Sequence, residues 1–216
     1  MRDKIFQIVE EEFSSLITKI QSDFVANFKA KQHNFLLKEL DTMMSAHMVF
    51  VSSFESKSGN SIQKVAKEIT KLRYGAENVP QIVNPHNLQH NVENPNEHEQ
   101  IIVSNVDMNN PELQGKIAEF MTRCEGDKKK KVCCSVNHGS ILELLSQPLP
   151  ITSEIHTKPV DLAFWDGDEL NIMEIKAGGN LDSSNAPSNA KKLLTIYTGL
   201  NYKKTKPYFA TIYHKD

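Results

Sequence analysis

The first fifty residues carry apolar side chains at steps of three and four, the spacing that places them on one face of an α-helix. This stripe is formed by Ile5, Ile8, Val9, Phe13, Leu16, Ile17, Ile20, Phe24 and Phe28. A second stripe contains Phe35, Leu36, Leu40, Met43 and Met44. The pattern predicts a helical N-terminal extension over residues 1–55, which packs either on the core or on a second subunit.

The polar segment 56–61, with the sequence SKSGNS, predicts a break in this helical pattern, because Ser, Gly and Asn favour helix caps. An amphipathic helix is then expected from Ile62 to about Gly75. Residues 78–98 are rich in Asn, Pro and His and have no hydrophobic period, which indicates a long loop. We therefore expect a core spanning residues 56–216, with 78–98 inserted as a loop.

Short β-prone runs alternate with amphipathic segments in the rest of the chain. The predicted strands are 101–106, 132–136 and 207–213, and the predicted helices are 111–124, 140–146 and 191–200. This alternation favours the α/β class, with a mixed central sheet flanked by helices.

Residues 160–176 have the pattern of a β-hairpin. The apolar runs 160–165 and 170–176 flank the turn signal Asp-Gly-Asp at positions 166–168. Both runs contain charged side chains that a buried strand pair has no structural reason to hold.

These charged side chains are Asp161, Glu174 and Lys176. Because side chains alternate along a strand, Glu174 and Lys176 lie on the same face. A two-residue loop after Asp166 pairs it with Glu169 and sets Asp161 opposite Glu174. A two-residue loop one step earlier keeps this shared face, whereas a three-residue loop puts the two carboxylates on opposite faces.

Two carboxylates held a few ångströms apart repel each other and lose hydration, so a cation between them is the natural resolution. Oxygen ligands without a nearby His or Cys favour a hard cation, Mg²⁺ before Zn²⁺. Such a cation polarises a phosphoryl oxygen, and a neighbouring lysine orients or deprotonates the attacking water. This chemistry cleaves phosphodiesters. The alternative interpretation is a hairpin whose exposed face carries ordinary salt bridges.

Pro159-x-Asp161, followed by Glu174-x-Lys176, resembles the motif of the PD-(D/E)XK nuclease superfamily, and within it the type II restriction endonucleases. The intervening Val160 departs from the strict pattern but leaves the ligand positions intact. The segment 177–182, AGGNLD, is similar to the one that follows the lysine in some of these enzymes, in particular the group that cuts GGNCC.

The resemblance implies a restriction-endonuclease-like fold and a Mg²⁺-dependent, site-specific deoxyribonuclease. It implies that Asp161 and Glu174 hold the metal together with the main-chain carbonyl of Ile175, and that Lys176 positions the water. Enzymes of this superfamily often take a further glutamate from a preceding helix. Gln63 occupies the family-like position here, so this acid is either missing or supplied by Glu68, whose alternative place is a solvated helix face.

The resemblance also implies partners. We expect a homodimer that cuts double-stranded DNA at a short palindromic site and leaves 5′-phosphate ends. A DNA methyltransferase would protect the host DNA as the other half of a restriction-modification system, in the cytoplasm of a prokaryote.

Lysine clusters supply candidate phosphate contacts, because cations give sequence-independent affinity for DNA. Lys128 and Lys129 belong to a run of four lysines. The alternative interpretation of this run is a solvated loop tip. Lys191 and Lys192 open a predicted helix, where acidic residues would suit the helix dipole better. That unfavourable placement suggests a phosphate partner for both.

Composition narrows the class of protein. The chain has 216 residues, of which 39% are hydrophobic and 24% charged, as expected for a soluble globular protein. Its three cysteines lack CxxC spacing and predict reduced, intracellular thiols. The net charge of −2 does not indicate a DNA-binding protein, although a local basic groove is compatible with it.

Three further interpretations remain open at this level. The same core could serve a repair or junction nuclease that recognises the shape of DNA, or a catalytically silent module that binds DNA or protein. The loop containing His86, His90 and His98 could hold a metal, although it lacks cysteine partners and regular spacing.

Overall fold

A computed structural model describes residues 1–31, 33–93, 99–124, 138–176 and 185–211. The fold is mixed α/β, as predicted, but the described strands form two three-stranded sheets instead of the single mixed central sheet that was expected. None of the helices in these ranges has the length and apolarity needed to cross a membrane. The helices are α1 (Arg2–Lys31), α2 (Phe35–Lys38), α3 (Thr42–Tyr74), α4 (Pro111–Cys124), α5 (His138–Ser146) and α6 (Asn185–Leu200), and a 3₁₀ turn spans Ala76–Asn78. The strands are β1 (Ile82–Val83), β2 (Gln100–Val106), β3 (Ile151–Val160), β4 (Leu162–Asp166), β5 (Glu169–Lys176) and β6 (Thr205–Thr211).

The chain divides into two compact units, Met1–Leu72 and Arg73–Asp216. In the first unit, α1 and α3 run antiparallel, since early positions of one helix contact late positions of the other. The polar contacts between them join Glu12 to Lys64 at 3.6 Å, Asp23 to Lys57 at 2.7 Å, and Lys31 to Ser52 at 2.8 Å.

The predicted helix break at residues 56–61 is wrong, because α3 runs through this segment without interruption. Inside the helix, the Ser56 hydroxyl donates to the Ser53 carbonyl at 3.1 Å, and the Ser58 hydroxyl donates to the Glu55 carbonyl at 3.2 Å. These serines therefore satisfy their hydroxyls on preceding carbonyls rather than capping a helix end. Pairing with α1 overrides the low helix propensity of the segment.

In the second unit, the described residues form two three-stranded sheets, ordered β1-β2-β3 and β4-β5-β6. β2 pairs with β1 in parallel and with β3 antiparallel, whereas β5 pairs with β4 antiparallel and with β6 in parallel. β3 ends at Val160 and β4 begins at Leu162, so Asp161 alone separates a strand of one sheet from a strand of the other. The site described below is built at this junction.

The hairpin of β4 and β5 has the predicted register. Asp166 pairs with Glu169 at the turn, and Leu162 pairs with Met173 at the other end. Gly167 in the turn has a φ of 61°, a left-handed conformation that glycine adopts without strain.

Helix α6 covers the sheets with its apolar face. Ile196, Tyr197 and Leu200 are fully buried in one cluster with Ile102 and Ile172 from the strands. This packing is the main core of the second unit.

Helix α6 begins at Asn185 rather than at residue 191, so Lys191 and Lys192 lie beyond its first turn. The effect of the helix dipole falls off within the first turn. The dipole-based argument for phosphate contacts at these two lysines is therefore wrong.

The pattern analysis missed two strands. β3 is largely exposed and carries charged side chains within a β-prone sequence, which conceals it. β1 is only two residues long and lies within the segment predicted as a loop. The predicted strand 132–136 and residues 94–98 of the loop lie outside the described residues.

Candidate functional site

Asp161 and Glu174 lie side by side at the junction of the two sheets. Leu162 pairs with Met173, which places Asp161, the residue before Leu162, opposite Glu174, the residue after Met173. Glu174 is only 1% exposed, and the Asp161 side chain is 10% exposed. The predicted pairing of the two carboxylates is confirmed.

Asp161 is oriented by the main chain of the neighbouring strand. Its Oδ2 accepts a hydrogen bond of 2.8 Å from the backbone N–H of Ile175. This bond fixes the carboxylate against β5 and leaves its other oxygen, Oδ1, directed at a second partner. The proposed role of the Ile175 carbonyl as a metal ligand stays a prediction.

The buried side chain of Gln100 holds the backbone next to Asp161. Its amide nitrogen donates to the carbonyls of Ala163 at 2.8 Å and Pro80 at 2.6 Å. Its amide oxygen accepts from the Ala163 N–H at 2.9 Å. Gln100 thus connects β2, in one sheet, to β4, in the other, two residues from Asp161.

Two ammonium groups approach Glu174. Lys176 Nζ lies 2.7 Å from Oε1, and Lys192 Nζ lies 2.7 Å from Oε2. The two lysine side chains are 32% and 31% exposed, so each extends from the buried carboxylate towards solvent. Lys176 is therefore next to the carboxylate that the sequence analysis paired with it.

Lys192 also reaches Asp161, whose Oδ1 lies 3.2 Å from its Nζ. Burial lowers the pKa of Lys192, but the hydrogen bond to Glu174 and the charge of Asp161 act in the opposite direction and leave the pKa raised. The ammonium form is therefore favoured, and one cation bridges both carboxylates.

The donor set is suited to a hard cation. Two carboxylates converge on one point, and that point already holds positive charge in the form of the Lys192 ammonium. Mg²⁺ is commonly held by one or two carboxylates and keeps several waters, so a pair of acids is sufficient. Within the described ranges there is no cluster of three or more His, Cys, Asp or Glu side chains that would suit a metal with an all-protein ligand set.

The other predicted site residues are placed elsewhere or lie outside the description. Gln63 and Glu68 belong to α3 in the first unit, where Glu68 Oε1 lies 2.7 Å from Lys71 Nζ. Their role as an accessory acid stays a prediction. Lys128 and Lys129 lie outside the described residues.

Two histidines of the predicted loop have local structural contacts. His86 Nε2 lies 2.9 Å from the carbonyl of Leu200. His90 Nδ1 accepts a hydrogen bond of 3.3 Å from the Val92 N–H. These contacts connect the loop to itself and to the end of α6.

The sequence analysis did not predict the roles of Lys192 and Gln100. Lys192 was assigned to DNA phosphates because its position was unfavourable for the helix dipole. The relevant signal was a lysine at the centre of the helix that follows the hairpin. Gln100 gave only a weak signal, a polar residue beginning an otherwise apolar strand.

Comparison with protein-family models, with curated proteins and with solved structures found no match.

Proposed function

We propose that this protein is a Mg²⁺-dependent endonuclease acting on double-stranded DNA at a short specific site, as type II restriction enzymes do. The observation that carries the proposal is the convergence of Asp161 and Glu174 on one cation, the Lys192 ammonium, with Lys176 beside them. Two lysines neutralise the buried carboxylates here, and buried ionisable groups brought together in this way are found preferentially at functional sites.

The order of elements adds support. The hairpin β4-β5, which bears the acidic residues, is followed by helix α6 and then by β6, which is parallel to the second hairpin strand. β2 precedes the hairpin, with α4, α5 and β3 between them. This is the arrangement expected of a restriction-endonuclease-like core.

In the proposed reaction, water attacks phosphorus and the bond to the 3′ oxygen breaks, leaving a 5′-phosphate and a 3′-hydroxyl. A bound Mg²⁺ would polarise the phosphoryl oxygens and lower the pKa of water. Asp161 and Glu174 would hold that cation, with Asp161 kept in place by the Ile175 N–H. Lys176 would orient the water and stabilise the developing negative charge.

We also propose the partners that this function requires. The enzyme would act as a homodimer on a palindromic site, alongside a DNA methyltransferase in a prokaryotic cytoplasm. Exposed apolar side chains are compatible with a subunit contact. In the first unit they include Phe6, Val25, Phe35, Met43, Met44, Met48, Phe50 and Val51.

The proposal is tested by incubating plasmid DNA with the wild-type protein and Mg²⁺. The comparison samples contain EDTA, the Lys176→Ala variant or the Lys203→Ala variant, in which an exposed lysine outside the site is lost. We expect discrete fragments with wild type and Lys203→Ala. We expect none with EDTA, and a rate reduced by about 10²–10⁴-fold with Lys176→Ala, the range typical of a lost proton-transfer group.

Uncut DNA under all conditions would contradict the proposal. Cleavage confined to branched or damaged substrates would instead support a repair or junction nuclease on the same core.

One observation favours a silent interaction module as the second candidate. The site contains two carboxylates and two ammonium groups, so its charges cancel without any metal. Such a module would bind its partner equally well in Mg²⁺ and EDTA, and Lys176→Ala would leave binding unchanged.

A further inference from the structure

Each carboxylate of the site has one oxygen with a partner on β5 and one oxygen directed at Lys192. Asp161 Oδ2 accepts from the Ile175 backbone, and Glu174 Oε1 lies against Lys176 on the same strand. The remaining oxygens, Asp161 Oδ1 and Glu174 Oε2, converge on Lys192 Nζ at 3.2 and 2.7 Å. Lys192 thus occupies the point where a ligated cation would lie.

Lys192 is also able to leave the site. Its partners belong to the sheet junction, whereas Lys192 itself projects from α6. About a third of its side chain is exposed, so the long aliphatic stem can turn the ammonium into solvent without moving the backbone. Glu174, at 1% exposure, has no such freedom and keeps its need for a counter-charge.

We propose that Lys192 is an exchangeable counter-ion, which neutralises Asp161 and Glu174 while no metal is bound and withdraws when a divalent cation binds. The inference deepens the proposed function and rests on it. In this role Lys192 is a positioning residue, since it keeps the ligands converged in the metal-free protein. It also competes with the metal, because both require the same two oxygens.

The physical reason for the exchange is the burial of Glu174. Removing a partner from a buried ion pair is strongly unfavourable when the remaining charge stays uncompensated. If Lys192 left, Lys176 would be the only one of the described cations at the two carboxylates, so the departure is unfavourable unless another cation replaces Lys192. This coupling weakens metal binding in the absence of DNA and prevents the acids from repelling each other.

Titration calorimetry of Mg²⁺ and Ca²⁺, without DNA, tests the exchange. The proteins are the wild type, Lys192→Met, and Lys191→Met as a matched control with the same change in net charge one residue away. We expect Lys192→Met to bind the cations at least about tenfold more tightly than wild type, equivalent to about 1.4 kcal/mol. Lys191→Met should match wild type.

Equal or weaker cation binding by Lys192→Met would overturn the exchange. If Lys192→Met fails to fold, Lys192→Gln keeps a polar side chain and serves in its place, with the same expected direction.

A second measurement uses the wild-type protein alone. Amine acetylation, followed by mass spectrometry, reports how accessible each lysine is, with Lys191 as the internal reference. We expect acetylation of Lys192 to accelerate severalfold when Ca²⁺ saturates the protein, while Lys191 is unchanged. Saturating Ca²⁺ without any change at Lys192 would overturn the exchange.

These outcomes separate the inference from the proposed function. Mg²⁺-dependent DNA cleavage with unchanged cation affinity in Lys192→Met would refute the exchange and leave the nuclease intact. Tighter cation binding in the variant, without any cleavage by wild type, would support the exchange and contradict the nuclease. Failure of every protein to bind either cation would contradict both.

Discussion

Two buried polar side chains of the second unit have opposite hydrogen-bonding environments. Gln100 has partners for both its amide oxygen and its amide nitrogen. Tyr197 is fully buried in the apolar cluster, and its hydroxyl has no hydrogen-bond partner among the described residues. A satisfied buried group stabilises the fold, whereas an unsatisfied one has lost its water without replacement.

We predict that Tyr197→Phe stabilises the protein by about 1 kcal/mol, because it removes a buried hydroxyl whose desolvation is not offset by a hydrogen bond. Urea denaturation at neutral pH measures the change. Destabilisation by more than about 1 kcal/mol would indicate that the hydroxyl has a partner in a part of the chain that the structure does not describe.

The same residue predicts a dependence on pH. Burial raises the pKa of Tyr197 from 10.0 to about 12. The unfolded chain therefore loses the phenolic proton first, and stability falls as the pH rises between these two values. Tyr197→Phe should lack this part of the alkaline loss, which thermal unfolding of both proteins between pH 9 and about 12 would measure. Parallel alkaline profiles would contradict the assigned cause.

Gln100 connects the strand beside Asp161 to the neighbouring sheet, so its loss should reach the site. We predict that Gln100→Leu costs about 2–4 kcal/mol, since the Ala163 N–H and two carbonyls lose their partner in a buried position. Urea denaturation measures the cost. Gln89→Leu, at an exposed position, is the control and should stay within about 0.5 kcal/mol of wild type. If Gln100→Leu lowered stability no more than the Gln89→Leu control does, a structural role for the Gln100 amide would be contradicted.

At the level of elements, the strongest sequence signals were those in which a periodic pattern and a turn signal agreed. The register of β4 and β5 followed from Asp166-Gly167-Asp168 and the alternation around it. β3 was not predicted because it contains Glu154, at an exposed position, and His156 and Lys158, at half-buried positions, which obscure the period. The contact of Lys192 with Glu174 was not predicted, because a partner on another element cannot be located from local sequence.

Helix α3 shows tertiary pairing overriding local propensity. Gly59 lies in its interior, and a Cβ there would meet no atom within 4 Å. We predict that Gly59→Ala stabilises the protein by about 0.5–1 kcal/mol, since alanine loses less backbone entropy than glycine in a helix. Unchanged or lower stability of Gly59→Ala would contradict a continuous helix at this position.

Gly167 provides the matched control, measured by the same thermal or urea denaturation. A methyl group on its Cα would also project into open space, but its φ is 61°. Gly167→Ala should therefore destabilise the protein, because alanine in this conformation is strained. The two substitutions are chemically identical, so opposite signs would assign the difference to backbone conformation.

At the scale of the whole molecule, the site is contained in one unit. Asp161, Glu174, Lys176 and Lys192 all belong to the unit Arg73–Asp216. This unit also contains both sheets and the apolar clusters that support them.

We predict that residues 73–216 fold on their own and bind Mg²⁺ with the affinity of the full chain. The fragment keeps Tyr74, whose ring packs against Phe164 with centroids 4.6 Å apart. Circular dichroism, cooperative urea unfolding and titration calorimetry measure folding and binding. Asp161→Asn in the fragment is the control and should bind the cation much more weakly, because it loses one of two charged ligands. A fragment without cooperative unfolding would show that the helices of residues 1–72 are needed for the core. A folded fragment with altered affinity would instead place a contribution to the cation site in those helices, where Gln63 and Glu68 are the candidates.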